Sequence, residues 1–436
     1  MAAGAPTSLE QEITRVVAEI DQIEAQTLDR LKPPPANQVQ QIELLGKLLL
    51  FDKNLSVNRN EACAFCHMPE TGFTGPISQL NATTGAYPGS LRWRYSNRKP
   101  MTHTYAPYSP VLHYNVNRGD LVGGNFWDMR ATGRRLGNAA AEQAQGPPTN
   151  PVEMGLIDTA CMVYRASQRP YSSFFESVWG KQAFDIAWPS NIEDTCNTPG
   201  PPPADKQFAV SLSTKDRGTS SANFDQIAMS IAQFEASHEV SPFTSKFDAM
   251  LGGTAKLSAQ EQEGYDLFRG KANCNTCHRD GGPGEEPFFT DWTASNIGTP
   301  ANRDLPYYQE EKNLLSHPSV PDANWVKHAS GNNGRFQVPT LRNVDRRPYP
   351  EFVKAYGHNG YFKSLKEIVH FYNSRDLLPR CKAGDPGEKV SCWPPPETTG
   401  NMNTKTVGHL GLTDDEEAAL VAFLKTLTDS YTAAKQ

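Results

Sequence analysis

The chain has 436 residues, 38% of them hydrophobic, with 34 prolines and 33 glycines. That length holds two or three domains, and that composition favours compact domains joined by irregular segments over one large sheet. The formal charge of −6 and the lack of a long Lys/Arg run argue against nucleic acid as a partner.

The N-terminus, "MAAGAPTSLEQEITRVV", has no signal-peptide core. Either the protein stays in the cytosol or the chain is written without its export signal. The strongest apolar run, "IELLGKLLLF" (42–51), is too short to span a bilayer and carries a lysine. It reads as a helix leading into "CAFCH" (63–67). Cys-x-x-Cys-His is the attachment motif of c-type haem. Two thiols add across the vinyl groups, and the following histidine turns onto the iron. A second copy, "CNTCH" (274–278), again follows a helical stretch, "EGYDLFRGKAN". One copy alone fits half of a zinc site. Two copies, each with His directly after the second Cys, point to two haems, since a zinc site leaves both histidines unexplained. The expected cofactors are therefore two covalently attached c-type haems, on Cys63, Cys66 and on Cys274, Cys277. His67 and His278 are the proximal iron ligands.

Each motif is followed much later by another helical stretch, 223–243 and 412–429. In the second, Thr413 reads as the N-cap with acidic residues in the first turn. Strand signals are weak throughout. The expected fold is mainly α: two cytochrome c-like helical domains, 1–248 and 249–436, each with one covalently bound haem and long irregular loops. Within the second lies "SLKEIVHFYN" (364–373), where Ser364 and Glu367 make a capping-box start. Leu365, Ile368, Val369 and Tyr372 form one apolar stripe. Nothing in that pattern requires a tyrosine.

The four cysteines outside the motifs are Cys161, Cys196, Cys381 and Cys392. They allow three pairings, of which the sequence-local 161–196 and 381–392 are favoured; four free thiols is the competing reading. Disulfides would place the protein in an oxidising compartment.

"GGNFWDMRATGRRLGNAAAEQAQGPPTNPVEM" (123–154), "FQVPTLRNV" (336–344) and "YGHNGYFKSLKEIVHFYN" (356–373) resemble segments of the bacterial dihaem cytochrome c peroxidase/MauG superfamily. The likeness runs from about Leu45 to Thr428. One departure is Met129, where the family has glycine after Trp-Asp. The resemblance implies that Gln143 and Glu153, ten residues apart as in the family, are the distal pair above the peroxide-reacting haem of the N-terminal domain. Glu153 would shuttle the proton that peroxide loses on binding and its leaving oxygen gains. Gln143 would orient the peroxide, and Pro147 would limit access. Trp127 matches the tryptophan between the haems, an electron relay. Asn97, in "SNRKPMT", resembles an asparagine that contributes to a calcium ion between the domains, amide oxygen being a hard ligand. Here the arginine follows the asparagine instead of preceding it. The family's later Thr-x-Pro carbonyl ligands have no clear match in "VDRRPYPEF".

Two features separate branches of that family. No histidine lies between Met68 and Asn97, where conventional peroxidases carry one that blocks the resting iron. The first haem is thus expected to be open. Fourteen residues after His358 stands Tyr372, at the axial position of the second haem. Conventional peroxidases have methionine there and MauG-like members have tyrosine. A phenolate favours oxidised iron and a thioether reduced iron. The leading reading is a MauG-like, H2O2-dependent dihaem peroxidase/oxidase that reaches a bis-Fe(IV) state and oxidises a partner by long-range electron transfer. The donor is an unidentified protein or small redox protein, and the compartment is the bacterial periplasm. The alternatives are a conventional cytochrome c peroxidase with a cytochrome or cupredoxin donor, and a non-catalytic dihaem electron carrier.

Overall fold

A computed structural model describes residues 8–202, 208–282, 284–306, 332 and 334–432. Helix Gln38–Phe51 starts at Asn37, whose side chain accepts from the Gln40 N–H, and buries Leu44, Leu45, Leu48 and Leu49. It crosses helix Thr214–Ala236 at Gly46, where a Cβ would sit 1.9 Å from the Ser230 carbonyl oxygen. Helix Ala259–Arg269, started by a Ser258–Glu261 capping box, crosses helix Asp414–Lys425 at Gly264. There a Cβ would sit 2.0 Å from the Ala419 carbonyl oxygen. At both crossings the nearest side-chain atom across the gap is a phenylalanine Cβ, Phe234 in one and Phe423 in the other. The haem motif lies between the two crossing helices in each case. The architecture is a repeated unit: entry helix, Cys-x-x-Cys-His turn, closing helix.

The apolar core divides accordingly. One cluster draws on residues 16–240 and another on 247–427. Polar contacts join the halves. The Tyr105 hydroxyl donates to Asp429 at 2.8 Å, and Lys363 Nζ donates to the Asn81 and Thr83 carbonyls at 2.9 and 2.8 Å. The named strands among the described residues form two antiparallel pairs, His113–Asn115 with Asp120–Val122 and Ala294–Ser295 with Phe336–Gln337. No helix among the described residues is long and apolar enough to cross a membrane.

The closing helix of the first half differs from the sequence expectation of 223–243. It starts nine residues earlier, because Ser213 caps it by accepting from the Asp216 N–H, and it stops at Ala236. The polar stretch "TKDRGTSSAN" carries no apolar stripe to betray it, although Ser220 and Asn223 are buried. Asp414–Lys425 begins at Thr413 as expected, with Glu416 completing the capping box. In Leu365–Ser374 only half of the expected box forms. Ser364 accepts from the Glu367 N–H, while the Glu367 carboxylate takes the Lys363 N–H instead. Both favoured disulfides, Cys161–Cys196 and Cys381–Cys392, are present.

The crossings predict opposite outcomes for one kind of substitution. Gly264→Ala forces a methyl into backbone and costs at least about 2 kcal/mol. Gly218→Ala, on a helix site with nothing within 4 Å of a Cβ, stabilises by roughly 0.5–1 kcal/mol. Denaturant unfolding of the holoprotein measures both, and an unchanged midpoint for Gly264→Ala contradicts the close crossing.

Candidate active site

Cys63–Phe65 and Cys274–Thr276 each form a single 3-10 turn that sets two thiols one turn apart. All four thiols are free. Burial pushes Cys63 and Cys274 up to about 12 and Cys277 up to about 11, so they sit as neutral thiols. Among the described residues no group of three or more His, Cys, Asp or Glu side chains converges as a metal cluster. This removes the zinc reading of the motifs.

Both histidines are tethered alike. His67 Nδ1 donates to the Phe73 carbonyl and His278 Nδ1 to the Phe289 carbonyl, each at 3.0 Å. That fixes the tautomer and leaves Nε2 for iron. Burial lowers both imidazoles, His67 strongly, which keeps them neutral as ligation requires. Both phenylalanines adopt φ of 53°, and this left-handed backbone turns their carbonyls toward the histidines. The carbonyl just before each phenylalanine accepts a threonine hydroxyl, Thr102 to Gly72 and Thr340 to Phe288, each at 2.6 Å. Phe73 packs edge-on against Phe234 and Phe289 obliquely against Phe423 of the closing helices, with ring centroids 6.3 and 6.2 Å apart.

The chamber beside the first motif brings Cys63, Cys66 and His67 together with Gln143, Pro147 and Glu153. Gln143 lies near the end of helix Ala139–Ala144, and Pro147 opens the Pro147–Thr149 turn. The Glu153 carboxylate accepts from Asn150 Nδ2 at 2.6 Å. Desolvation raises its pKa, offset by Arg130 and the Asn150 bond. Met129, in the place of the family's glycine, holds φ of 59° and is buried. A non-glycine residue there costs about 1–2 kcal/mol, opposed by packing against Leu112, Leu121 and Ala294.

The larger chamber brings Cys274, Cys277 and His278 together with Tyr372 and Trp127. Tyr372 projects from helix Leu365–Ser374, and its hydroxyl makes no hydrogen bond to any described residue. Desolvation and the nearness of Cys277 and Cys274 raise its pKa. Only a cation in the chamber would reverse that, as a bound metal does for its ligands. The Trp127 indole N–H donates to the Lys99 carbonyl at 2.8 Å, and its ring meets His358 edge-on with centroids 6.3 Å apart. Each chamber thus offers a free thiol pair, an imidazole with Nδ1 committed, and a largely apolar wall. The larger adds an unpartnered phenol. This donor set fits one haem per chamber.

Asn97 does not join either group. It is exposed, and its main-chain carbonyl accepts from the neighbouring Arg98 guanidinium at 2.7 Å. Among the described residues no group of three or more His, Cys, Asp or Glu side chains that could hold a metal ion lies around it.

Sequence reasoning missed the other side of the smaller chamber. The His103 ring stacks on His67 with centroids 3.5 Å apart and planes 20° apart. Rings lying face to face cannot ligate one iron from opposite sides, so His103 is no substitute for the absent blocking histidine. Its Nδ1 is 2.9 Å from Glu235 Oε1, without hydrogen-bond alignment. Burial drives both toward neutrality, His103 down to about 3 and Glu235 well up. The repeat locates their counterparts in the second unit. His103 follows Thr102 and Leu341 follows Thr340; Glu235 follows Phe234 and Leu424 follows Phe423. Both leucines line the larger chamber. One scaffold carries His–Glu in one copy and Leu–Leu in the other. The signal available in the sequence was that local repeat.

Comparison with known proteins agrees with this construction. Residues 40–256 match the family model described as di-haem cytochrome c peroxidase. The chain is 32% identical over 396 residues to the methylamine utilization protein MauG of Paracoccus denitrificans, covering 88% of each. It is 27% identical over 387 residues to cytochrome c551 peroxidase of Nitrosomonas europaea, covering 88% of this chain and 79% of that one. The solved structure of the diheme peroxidase BthA from Burkholderia thailandensis superposes with a TM-score of 0.66 at 25% identity, covering 89% of this chain and 86% of that one. A haem peroxidase rather than a passive electron carrier, this chain belongs to the di-haem cytochrome c peroxidase/MauG family.

Proposed function

We propose that the protein is a MauG-like, H2O2-dependent dihaem peroxidase/oxidase that draws electrons from a partner protein or small redox protein by long-range transfer. The observation that carries this reading is Tyr372, a partly buried phenol with no hydrogen-bond partner among the described residues, in the chamber of His278, Cys274 and Cys277. Cys63, Cys66 and His67 hold the peroxide-reacting haem of unit 1–248. Cys274, Cys277, His278 and Tyr372 hold the haem of unit 249–436. When bound, the two haems would supply the redox chemistry, between them taking up the two oxidising equivalents of peroxide.

The chain's own groups do the rest. Glu153 takes the proton that peroxide loses and returns it to the leaving oxygen; Asn150 holds Oε1, which leaves Oε2 for that exchange. Gln143 orients the peroxide, and Pro147 narrows the approach. Trp127 relays electrons along the wall of the larger chamber. Overall, H2O2 takes up two electrons and two protons to give two waters, the electrons coming from the donor. The two disulfides suit the periplasm, an oxidising compartment. A second reading, a conventional peroxidase with a cytochrome or cupredoxin donor, is favoured by the relatives named cytochrome c peroxidase.

Ferric-state EPR tests the ligand set. The reading expects one high-spin and one low-spin centre, with Tyr372→Phe altering the low-spin signal alone. A variant with both signals unaltered removes Tyr372 from the iron. Glu153→Gln is expected to slow the reaction with peroxide about 10²–10⁴-fold with haem attachment intact. Stopped-flow mixing with H2O2 measures this, and an unchanged rate removes Glu153 from the proton path.

A further inference from the structure

The contact between the halves is held by a cation that belongs to the chain. Lys354 is buried, 5% exposed. Its Nζ donates to three main-chain carbonyls, Thr71 at 2.8 Å, Asn343 at 2.8 Å and Arg346 at 3.0 Å. Thr71 ends the short turn that follows the first haem motif; Asn343 and Arg346 come from the second half. An ammonium has three N–H groups, and here each has its own acceptor. Converging main-chain carbonyls are also the hard oxygen donors that calcium takes.

The surrounding charge excludes a metal ion. Burial acts first against the charge on Lys354, and Lys99, Arg346 and Arg347 act the same way, while Asp345, which favours the charge, is paired with Arg347. The three converging carbonyls are what favours the ammonium. Lys99 is itself buried, with Nζ bonded to the Thr74 hydroxyl at 2.9 Å and the Pro100 carbonyl at 2.8 Å. It comes from the first half of the chain and Lys354 from the second. A divalent cation entering this region would meet the Arg346 and Arg347 guanidinium groups, two lysine amines and no uncommitted carboxylate among those named. Calcium sites are built the other way, affinity rising with the negative charge of the ligands.

We infer that the Lys354 ammonium, seated in the Thr71–Asn343–Arg346 carbonyl cage with Lys99 beside it, takes the place of an inter-unit metal ion, so that this protein joins its two haem units without calcium. The cage ties the loop after His67 to the second half of the chain. The inference is independent of the peroxide reading, because neither test below uses turnover.

Metal analysis of the purified holoprotein comes first. The expected result is two irons per chain with calcium far below stoichiometric, and no change in melting temperature or ferric EPR on treatment with EGTA. One tightly held calcium per chain, whose removal lowers the melting temperature, overturns the inference. Lys354→Ala then opens the cage. It is expected to lower the melting temperature by about 5 °C in metal-free buffer, and millimolar CaCl2 is expected to restore none of the loss, since Lys99, Arg346 and Arg347 remain. An unchanged melting temperature in metal-free buffer overturns the role of Lys354. Should the variant not fold, the metal content of the unaltered protein decides alone.

Discussion

The bond from the histidine of each Cys-x-x-Cys-His motif to the carbonyl of a left-handed phenylalanine is the constraint on which both halves depend. It commits Nδ1 of each histidine, and it depends on Phe73 and Phe289 holding φ of 53°. Such a backbone costs roughly 1–2 kcal/mol per residue. It is held from two sides, by a threonine hydroxyl on the preceding carbonyl and by ring packing against a phenylalanine of the closing helix. That phenylalanine is in place because the closing helix crosses a glycine at van der Waals distance. A methyl group at Gly46 or Gly264 is therefore felt at the motif histidine, several contacts away.

On this shared frame the chambers diverge. The first collects Gln143, Glu153 and the His103–Glu235 pair, groups that accept, donate or hold protons. The second is apolar in the corresponding places, Leu341 and Leu424, and presents the Tyr372 phenol. Peroxide cleavage needs proton transfer in step with electron transfer. Storage of an oxidising equivalent needs an electron-rich anionic ligand shielded from water. The duplicated fold thus permits a division of labour that a single haem chamber cannot make, with Trp127 and Lys99 in the wall of the larger chamber.

Much of this was legible in the chain because it rests on local pattern. The Cys-x-x-Cys-His motifs, the caps at Ser364 and Thr413 and the sequence-local disulfides each occupy a short window. Tyr372 was legible through resemblance, its helix alone reading as core. What escaped was non-local or conformational. Positive φ at Phe73 and Phe289 has no signature in a bulky aromatic residue. His103 and Glu235 are 132 residues apart (235 − 103), and each alone reads as a polar residue in a loop or helix. Lys354 and Lys99 look like surface lysines in "EFVKAY" and "SNRKP", and only the meeting of the two halves buries them. Asn97 stands exposed and apart from both chambers, so likeness to a motif did not place it with the other site residues. The early start of helix Thr214–Ala236 was hidden because its first turns bury serine and asparagine instead of apolar residues.

The central claim is that the two chambers act together as an oxidant store, set up by the Tyr372 ligand. The most direct measurement is addition of stoichiometric H2O2 to the fully ferric protein, followed by Mössbauer and near-infrared absorption spectroscopy. The account predicts a high-valent species shared by both irons, formed without prior reduction. A requirement for one-electron reduction before any reaction with peroxide, with two low-spin irons in the resting state, would contradict it.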